Sequence, residues 1–425
     1  MPRIAIISTT FYPDPAVASV RMTQFCRFLP EFGWSPTVLC RHYGFEATAD
    51  DFARDVHPDV SVRYLTSSPA LPVSGSSSGL NTMQRFKGAI GRGPIGQLAV
   101  PDLSIRFWRS IRQTARRLID DIQPQVILTT SPLHATHDLG RWLREETGLP
   151  WVADFRDPYR IDPRYQPRGL GLLRRKAHQR FEASIYRNAD LILHNIPVEH
   201  RWARLAYPDA RQRMRQMLNG CPPELAERTI RRPDHDGRSR FSVRVIGAAG
   251  DEESQCLVDA VAEKVRQGAD LELRFVGHPP RHTDRFHRQL AGRVTLTGLV
   301  PHREALDQMA GADLLVCNTS TRRSRSLLLS SKLFEYLAVG VPVLVVNPTF
   351  SDRQFLRRRP GVWLLTTPDR RDLIDALDWA MSDDATPPRE TVDAFRTRYN
   401  RRRQVQTLAD DFNQLLRHSS DSGSK

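Results

Sequence analysis

Short runs of β-branched and aliphatic residues, each followed by a stretch with helical spacing, recur along nearly the whole chain in two separate sets. The first set is Arg3–Ser8, Thr37–Cys40, Val60–Leu65, Val126–Thr129, Trp151–Asp154, Leu191–His194 and Gln216–Leu218. The second is Phe241–Ile246, Leu271–Val276, Val294–Leu296, Leu314–Cys317, Val343–Val346 and Val362–Leu365. Runs that are apolar on both faces belong to parallel sheets covered by helices on each side. Strict strand–helix alternation therefore predicts an α/β protein with two doubly wound parallel sheets. At 425 residues the chain can fill two such cores. A polar, proline-rich stretch from Asn219 to Arg240 separates the sets. We read residues 1–222 as one domain, 223–240 as the linker and 241–395 as the second domain. Val405, Leu408, Ala409, Phe412, Leu415 and Leu416 form a one-sided stripe on a last helix at 396–417, ahead of a disordered tail at 418–425.

With 40% hydrophobic and 26% charged residues, the chain has the composition of a soluble globular protein. No apolar run is long enough to cross a membrane, and MPRIAIIS enters a strand with no signal-peptide pattern, so work in the cytoplasm is expected, with the inner membrane face as a candidate location. The five cysteines lack CxxC spacing, which predicts buried thiols and no zinc site. Net charge is +14, and residues 151–215 hold 14 basic against 7 acidic residues, half of that excess. Such a segment suits an anionic partner, while an arginine-rich composition explains it equally well. Within it, Gly171–Asn188 reads as a basic amphipathic helix, with Leu173, Ala177, Phe181 and Ile185 opposite Arg174, Arg175, Lys176, His178 and Arg180. That apolar side would pack on the sheet, and basic residues 164–215 would otherwise meet an anionic membrane surface. Gly91, Gly93 and Gly96 spell a dinucleotide fingerprint, but MQRFKGAI precedes them and Pro94 interrupts, so we dismiss it.

Residues 326–346, SLLLSSKLFEYLAVGVPVLVV, carry the chemistry. Ser330 and Ser331 are N-cap types for a helix Lys332–Val339, which Gly340 closes and Pro342 blocks. A helix start offers free N–H groups and partial positive charge, a natural phosphate site. Lysine is scarce here, five among 62 basic residues, and Lys332 stands in the first turn, where an anion makes it favourable. Glu335, one turn on, either pairs with Lys332 on a solvated face or accepts from ribose hydroxyls.

The run SKLFEYLAVGVPV resembles the donor-site signature of the family-4 retaining glycosyltransferases, and TTSPLHATH and WVADFRDPY resemble motifs of one branch of that family. The resemblance implies the GT-B fold, two Rossmann-like domains facing a cleft. It also implies a metal-independent, cofactor-free transfer of sugar from a nucleotide sugar to a glycan or lipid-linked acceptor in surface polysaccharide synthesis. By the same resemblance, Ser330, Ser331, Lys332, Leu333 and Glu335 bind the donor diphosphate and ribose. Arg325, with Arg322 and Arg323, would add positive charge. Gly277, His278, Leu299 and Val300 would meet the base.

Arg21, early in its helix, would reach a phosphate or solvent. His134, Asp154 and Asp157, at the carboxyl ends of strands, would position or deprotonate the acceptor, or serve structurally, with Lys332 completing the catalytic set. His134 and His137 lack a third metal ligand. Two departures stand out: the family's sugar-contacting glutamate is Leu327 here, and its Arg/Lys pair falls on Ala248 and Ser254 in the acidic loop GAAGDEESQ. Alternatives are a 2-epimerase of the same fold or a nucleotide-sugar-binding protein of impaired activity. Sparse aromatics in the basic segment speak against nucleic acid.

Overall fold

The computed structural model describes all residues except 15–16, 42–43, 45, 66–98, 162–170, 228–239, 248–249, 282, 320–326, 367–368 and 423–425. The glycine fingerprint at 91–96, Arg322, Arg323, Arg325 and Ala248 fall outside the described residues. Two compact units are present: Met1–Leu218 with Arg401–Lys425, and Asn219–Asn400.

The first unit holds a seven-stranded sheet of order β3-β2-β1-β4-β5-β6-β7. Its strands are β1 Arg3–Ser8, β2 Ser35–Cys40, β3 Ser61–Tyr64, β4 Val126–Thr130, β5 Trp151–Phe155, β6 Leu191–His194 and β7 Met214–Gln216. Every pairing is parallel. Alternation along β1 sends Ile4 and Ile6 into one apolar layer and Ala5 and Ile7 into the other. Sequence spacing puts the last of these strands at Gln216–Leu218, but it forms two residues earlier, where Met214, Arg215 and Gln216 pair with Ile192, Leu193 and His194 of β6. The helix that carries Arg21 is short. It runs Val17–Phe28, and a 3₁₀ turn at Leu29–Phe32 takes over where Pro30 removes a backbone donor.

The last helix, Arg401–Ser422, belongs to this unit. Val405, Leu408, Ala409 and Phe412 are buried with Met22, Phe25 and Trp34, and Phe412 meets Trp34 edge-on at 5.2 Å. The helix continues past position 417, where sequence spacing ends it, since Leu415 and Leu416 still pack against that core.

The second unit has a six-stranded sheet of order β10-β9-β8-β11-β12-β13, again parallel throughout. Its strands are β8 Phe241–Ile246, β9 Leu271–Val276, β10 Val294–Leu296, β11 Leu314–Asn318, β12 Val343–Val346 and β13 Val362–Leu365. Strand order reverses between β8 and β11, and open sheets of this kind bind ligands just beyond the carboxyl ends at such a reversal.

Candidate donor site

Glycines make the floor at the carboxyl end of the second sheet. The Gly247 N–H donates to Val276 O at 2.6 Å, and the Gly277 N–H to Gly298 O at 2.8 Å, so the chain ends of β8, β9 and β10 lie edge to edge. Gly247 and Gly277 have φ of 94° and 118°, a region closed to most side chains. A Cβ on Gly277 would stand 2.8 Å from Gly247 Cα, and one on Gly247 would overlap Lys332 Nζ. Close backbone approach requires Gly277, and the positive φ requires Gly247.

The Lys332–Val339 helix forms over the expected residues and ends at Gly340, φ 85°. Lys332 Nζ donates to Ile246 O at 2.9 Å, placing its ammonium against Gly247. One turn on, the buried Tyr336 hydroxyl accepts from Ile246 N at 3.2 Å and donates to Ile246 O at 3.3 Å. Lys332 and Tyr336, spaced i and i+4, together grip the end of β8. Glu335 is buried, and its Oε1 meets His302 Nε2 at 3.0 Å. It does not stand on a solvated face.

The helix start departs from sequence expectation. Ser331 holds the N-cap position with helical backbone angles, and its side chain makes no capping bond. The Ser330 N–H donates to Asp352 Oδ1 at 3.0 Å, and the N–H groups of Leu333 and Phe334 lean back on Ser330 O and Ser331 O at 3.3 and 3.2 Å. Several first-turn donors are thus engaged within the chain, and the Leu333 side chain is core.

The loop 327–331 is held from below by a capping box at the next helix, Phe350–Leu356. Thr349 Oγ1 donates to Leu328 O and Ser351 Oγ to Leu327 O, each at 2.6 Å. Asp352 accepts from both Ser330 N and Thr349 N, and burial raises its pKa above the ordinary value. These supports were missed in the sequence, although Thr349-x-x-Asp352 is a legible cap signal. His302 was also missed, two residues past Val300. His278 is exposed and Leu299 is 70% exposed beside the Gly298 turn, while Val300 is half-buried. On the acidic side, Glu253 Oε1 accepts from Asn347 Nδ2 at 3.1 Å.

In the first unit, Asp154 is fully buried and accepts from Arg21 Nη2 at 2.9 Å and from Thr130 Oγ1 at 2.8 Å. Arg21 also donates to Met217 O at 2.9 Å. Arg21 is thus held within its unit by Asp154 and Met217, and Asp154 is enclosed. A bidentate guanidinium–carboxylate pair is the arrangement that lets both charges be buried. His134 is equally enclosed, its ring 4.6 Å from that of Tyr159 and 5.8 Å from that of Phe155. Asp157 is half-exposed, its N–H donating to Ser131 Oγ at 3.3 Å.

His137 Nδ1 meets Thr129 Oγ1 at 2.9 Å, and Trp151 Nε1 donates to that same hydroxyl at 2.8 Å. Burial lowers the His137 pKa to about 3. Among the described residues no group of three or more His, Cys, Asp or Glu gathers at metal-binding distance. No helix of the described residues is long and apolar enough to cross a membrane.

Residues 242–383 match the family model described as glycosyl transferases group 1. Among solved structures, sucrose-phosphate synthase from Thermosynechococcus elongatus aligns over 98% of this chain and 100% of its own at 15% identity, TM-score 0.64. Anabaena HepE in complex with UDP and glucose aligns over 97% and 100% at 15% identity, TM-score 0.61. The fold is GT-B. A putative UDP-N-acetylglucosamine 2-epimerase from Listeria monocytogenes is also similar, 13% identical over 96% of this chain and 95% of its own, TM-score 0.57. No curated protein matches by sequence. The matched domain and the fold support a glycosyltransferase.

Proposed function

We propose that the chain is a retaining, metal-independent glycosyltransferase that takes sugar from a nucleotide diphosphate sugar and passes it to a glycan or lipid-linked acceptor in surface polysaccharide synthesis. The observation carrying this reading is Lys332 Nζ beside Gly247, at the glycine-lined reversal of the second sheet. In this reading the C1–O bond to the diphosphate breaks as the acceptor oxygen bonds to C1, and the acceptor proton leaves with the diphosphate. Lys332 meets the charge that develops on the leaving group, as a preorganised cation close to its point of need. Glu335, steadied by His302, accepts from the ribose hydroxyls, and His278, Leu299 and Val300 border the base. Of the acceptor-side candidates, Asp157 is the one we retain, since Asp154 and His134 are enclosed.

Calorimetric titration of UDP, GDP and dTDP, followed by turnover of a nucleotide-sugar panel with and without a chelator, tests the proposal. We expect one diphosphate to bind, with turnover that survives chelation. Failure of all three to bind refutes the reading. The Glu253 carboxylate near the same strand ends favours a second reading, a nucleotide-sugar-binding protein without turnover. Binding with an unchanged donor would establish it, and donor converted to its 2-epimer without acceptor would establish an epimerase.

A further inference from the structure

The Gly171–Asn188 helix buries only part of the apolar side that its sequence offers. Its inward face runs through His178, Glu182, Ile185 and Tyr186, whereas Leu172 and Leu173 are 71% and 84% exposed. Packing on the sheet, expected to account for Leu173, does not. At the helical repeat, Leu173, Lys176, Arg180 and Arg187 follow at i, i+3, i+7 and i+14 and share one outward face. All four are exposed. The helix has a single acidic residue, Glu182, and that one is buried with Arg160 Nε at 2.9 Å. The outward face is therefore positive along its length and apolar at its first turn.

We infer that this face docks on an anionic lipid bilayer, with Leu172 and Leu173 entering the acyl boundary and Lys176, Arg180 and Arg187 meeting lipid phosphates. Two leucines at one helix tip are far too little surface for a stable protein partner, which needs a broad complementary patch. A bilayer accepts a pair of inserted side chains, provided nearby basic residues add a second attraction. A nucleic acid would use the cations but gain nothing from the leucines. The inference is independent of the donor-site reading, because it concerns the first unit alone and its test contains no nucleotide. Of the basic segment 164–215, residues 164–170 lie outside the described residues.

The test is co-sedimentation of the full chain with phosphatidylcholine vesicles, with and without phosphatidylglycerol, at low and raised salt. Wild type should pellet with the anionic vesicles and release as salt rises. Leu172→Ser/Leu173→Ser should partition at least about tenfold more weakly, from the lost apolar transfer. Lys176→Gln/Arg180→Gln should also weaken binding about tenfold or more, from two lost attractions to the surface. Thermal midpoints should match wild type, since all four side chains are exposed. The inference is overturned if wild type fails to pellet, if it partitions equally onto neutral vesicles, or if the leucine variant binds like wild type. Equal retention of wild type and leucine variant on a polyanion column, with no vesicle binding, would assign the face to nucleic acid instead.

Discussion

Lowering the pH should unfold the first unit well before carboxylates alone would do so. His137 and His194 are among the imidazoles wholly buried there. His194 has Tyr186 Oη at 2.8 Å from its Nε2 and His200 Nδ1 at 3.2 Å from its Nδ1, and His137 stands on Thr129. Burial lowers both pKa values from 6.5 to about 3. A base whose folded pKa is depressed contributes stability above its unfolded pKa and loses it as the pH falls from 6.5 toward 3. At about pH 5 the unfolded imidazole is mostly charged and the folded one is not, a difference of about 2 kcal/mol for each histidine. Together they remove about 4 kcal/mol, against a typical total of about 5–15 kcal/mol. His178, with a pKa lowered to about 4 by burial and by Arg174, acts in the same direction. Asp102 and Glu182, raised by burial, act in the opposite one.

The assay is urea unfolding followed by tryptophan fluorescence, to which Trp34, Trp108, Trp142, Trp151 and Trp202 of this unit contribute, at about pH 7.5 and about pH 5. His194→Phe isolates the histidine share. Its ring keeps the stack on Phe155 and Tyr186, and its cost at neutral pH, about 1–3 kcal/mol for stranded polar partners, cancels when slopes are compared. We expect the acid loss to shrink by about 2 kcal/mol in the variant. An unchanged loss would show that the buried imidazoles do not set the acid limit.

In the second unit, Lys332→Ala should weaken nucleotide diphosphate binding at least about tenfold, with little change in melting temperature because Tyr336 still grips Ile246; titration calorimetry and a melt read the two effects apart. Gly277→Ala, at φ 118° and 2.8 Å from Gly247 Cα, should cost about 1–3 kcal/mol or more and abolish donor binding, measured by urea melts and calorimetry. Asp352→Asn sets an amide N–H₂ against either Ser330 N or Thr349 N; we expect a melting temperature lower by several degrees and weaker nucleotide binding, from the loss of a hydrogen bond worth about 1.5–3 kcal/mol. Phe412→Ala should destabilise the first unit by about 3–5 kcal/mol in urea melts, having emptied the contact with Trp34.

Local chemistry was legible because it is written in neighbouring residues. The strand runs, the Gly340 stop of the Lys332 helix and the stripe from Val405 to Phe412 follow from periodicity and backbone preference alone. The sequence also singled out Lys332 and Glu335, since a lysine in a first turn and a glutamate one turn on are local oddities. What those side chains touch was settled by chain segments distant in sequence. Lys332 meets Ile246, Glu335 meets His302, and Ser330 hangs from Asp352. For Arg21 the sequence left phosphate or solvent open, and for Asp154 acceptor chemistry or a structural role; folding across 133 positions buried the two in each other. Helical spacing placed Phe181 and Ile185 of Gly171–Asn188 correctly but turned Leu173 inward and His178 outward, the reverse of what the fold does. Periodicity gives the angle between side chains on a helix, whereas which angle faces inward depends on the partners the rest of the unit offers, here Tyr159 for His178 and Arg160 with Tyr207 for Glu182.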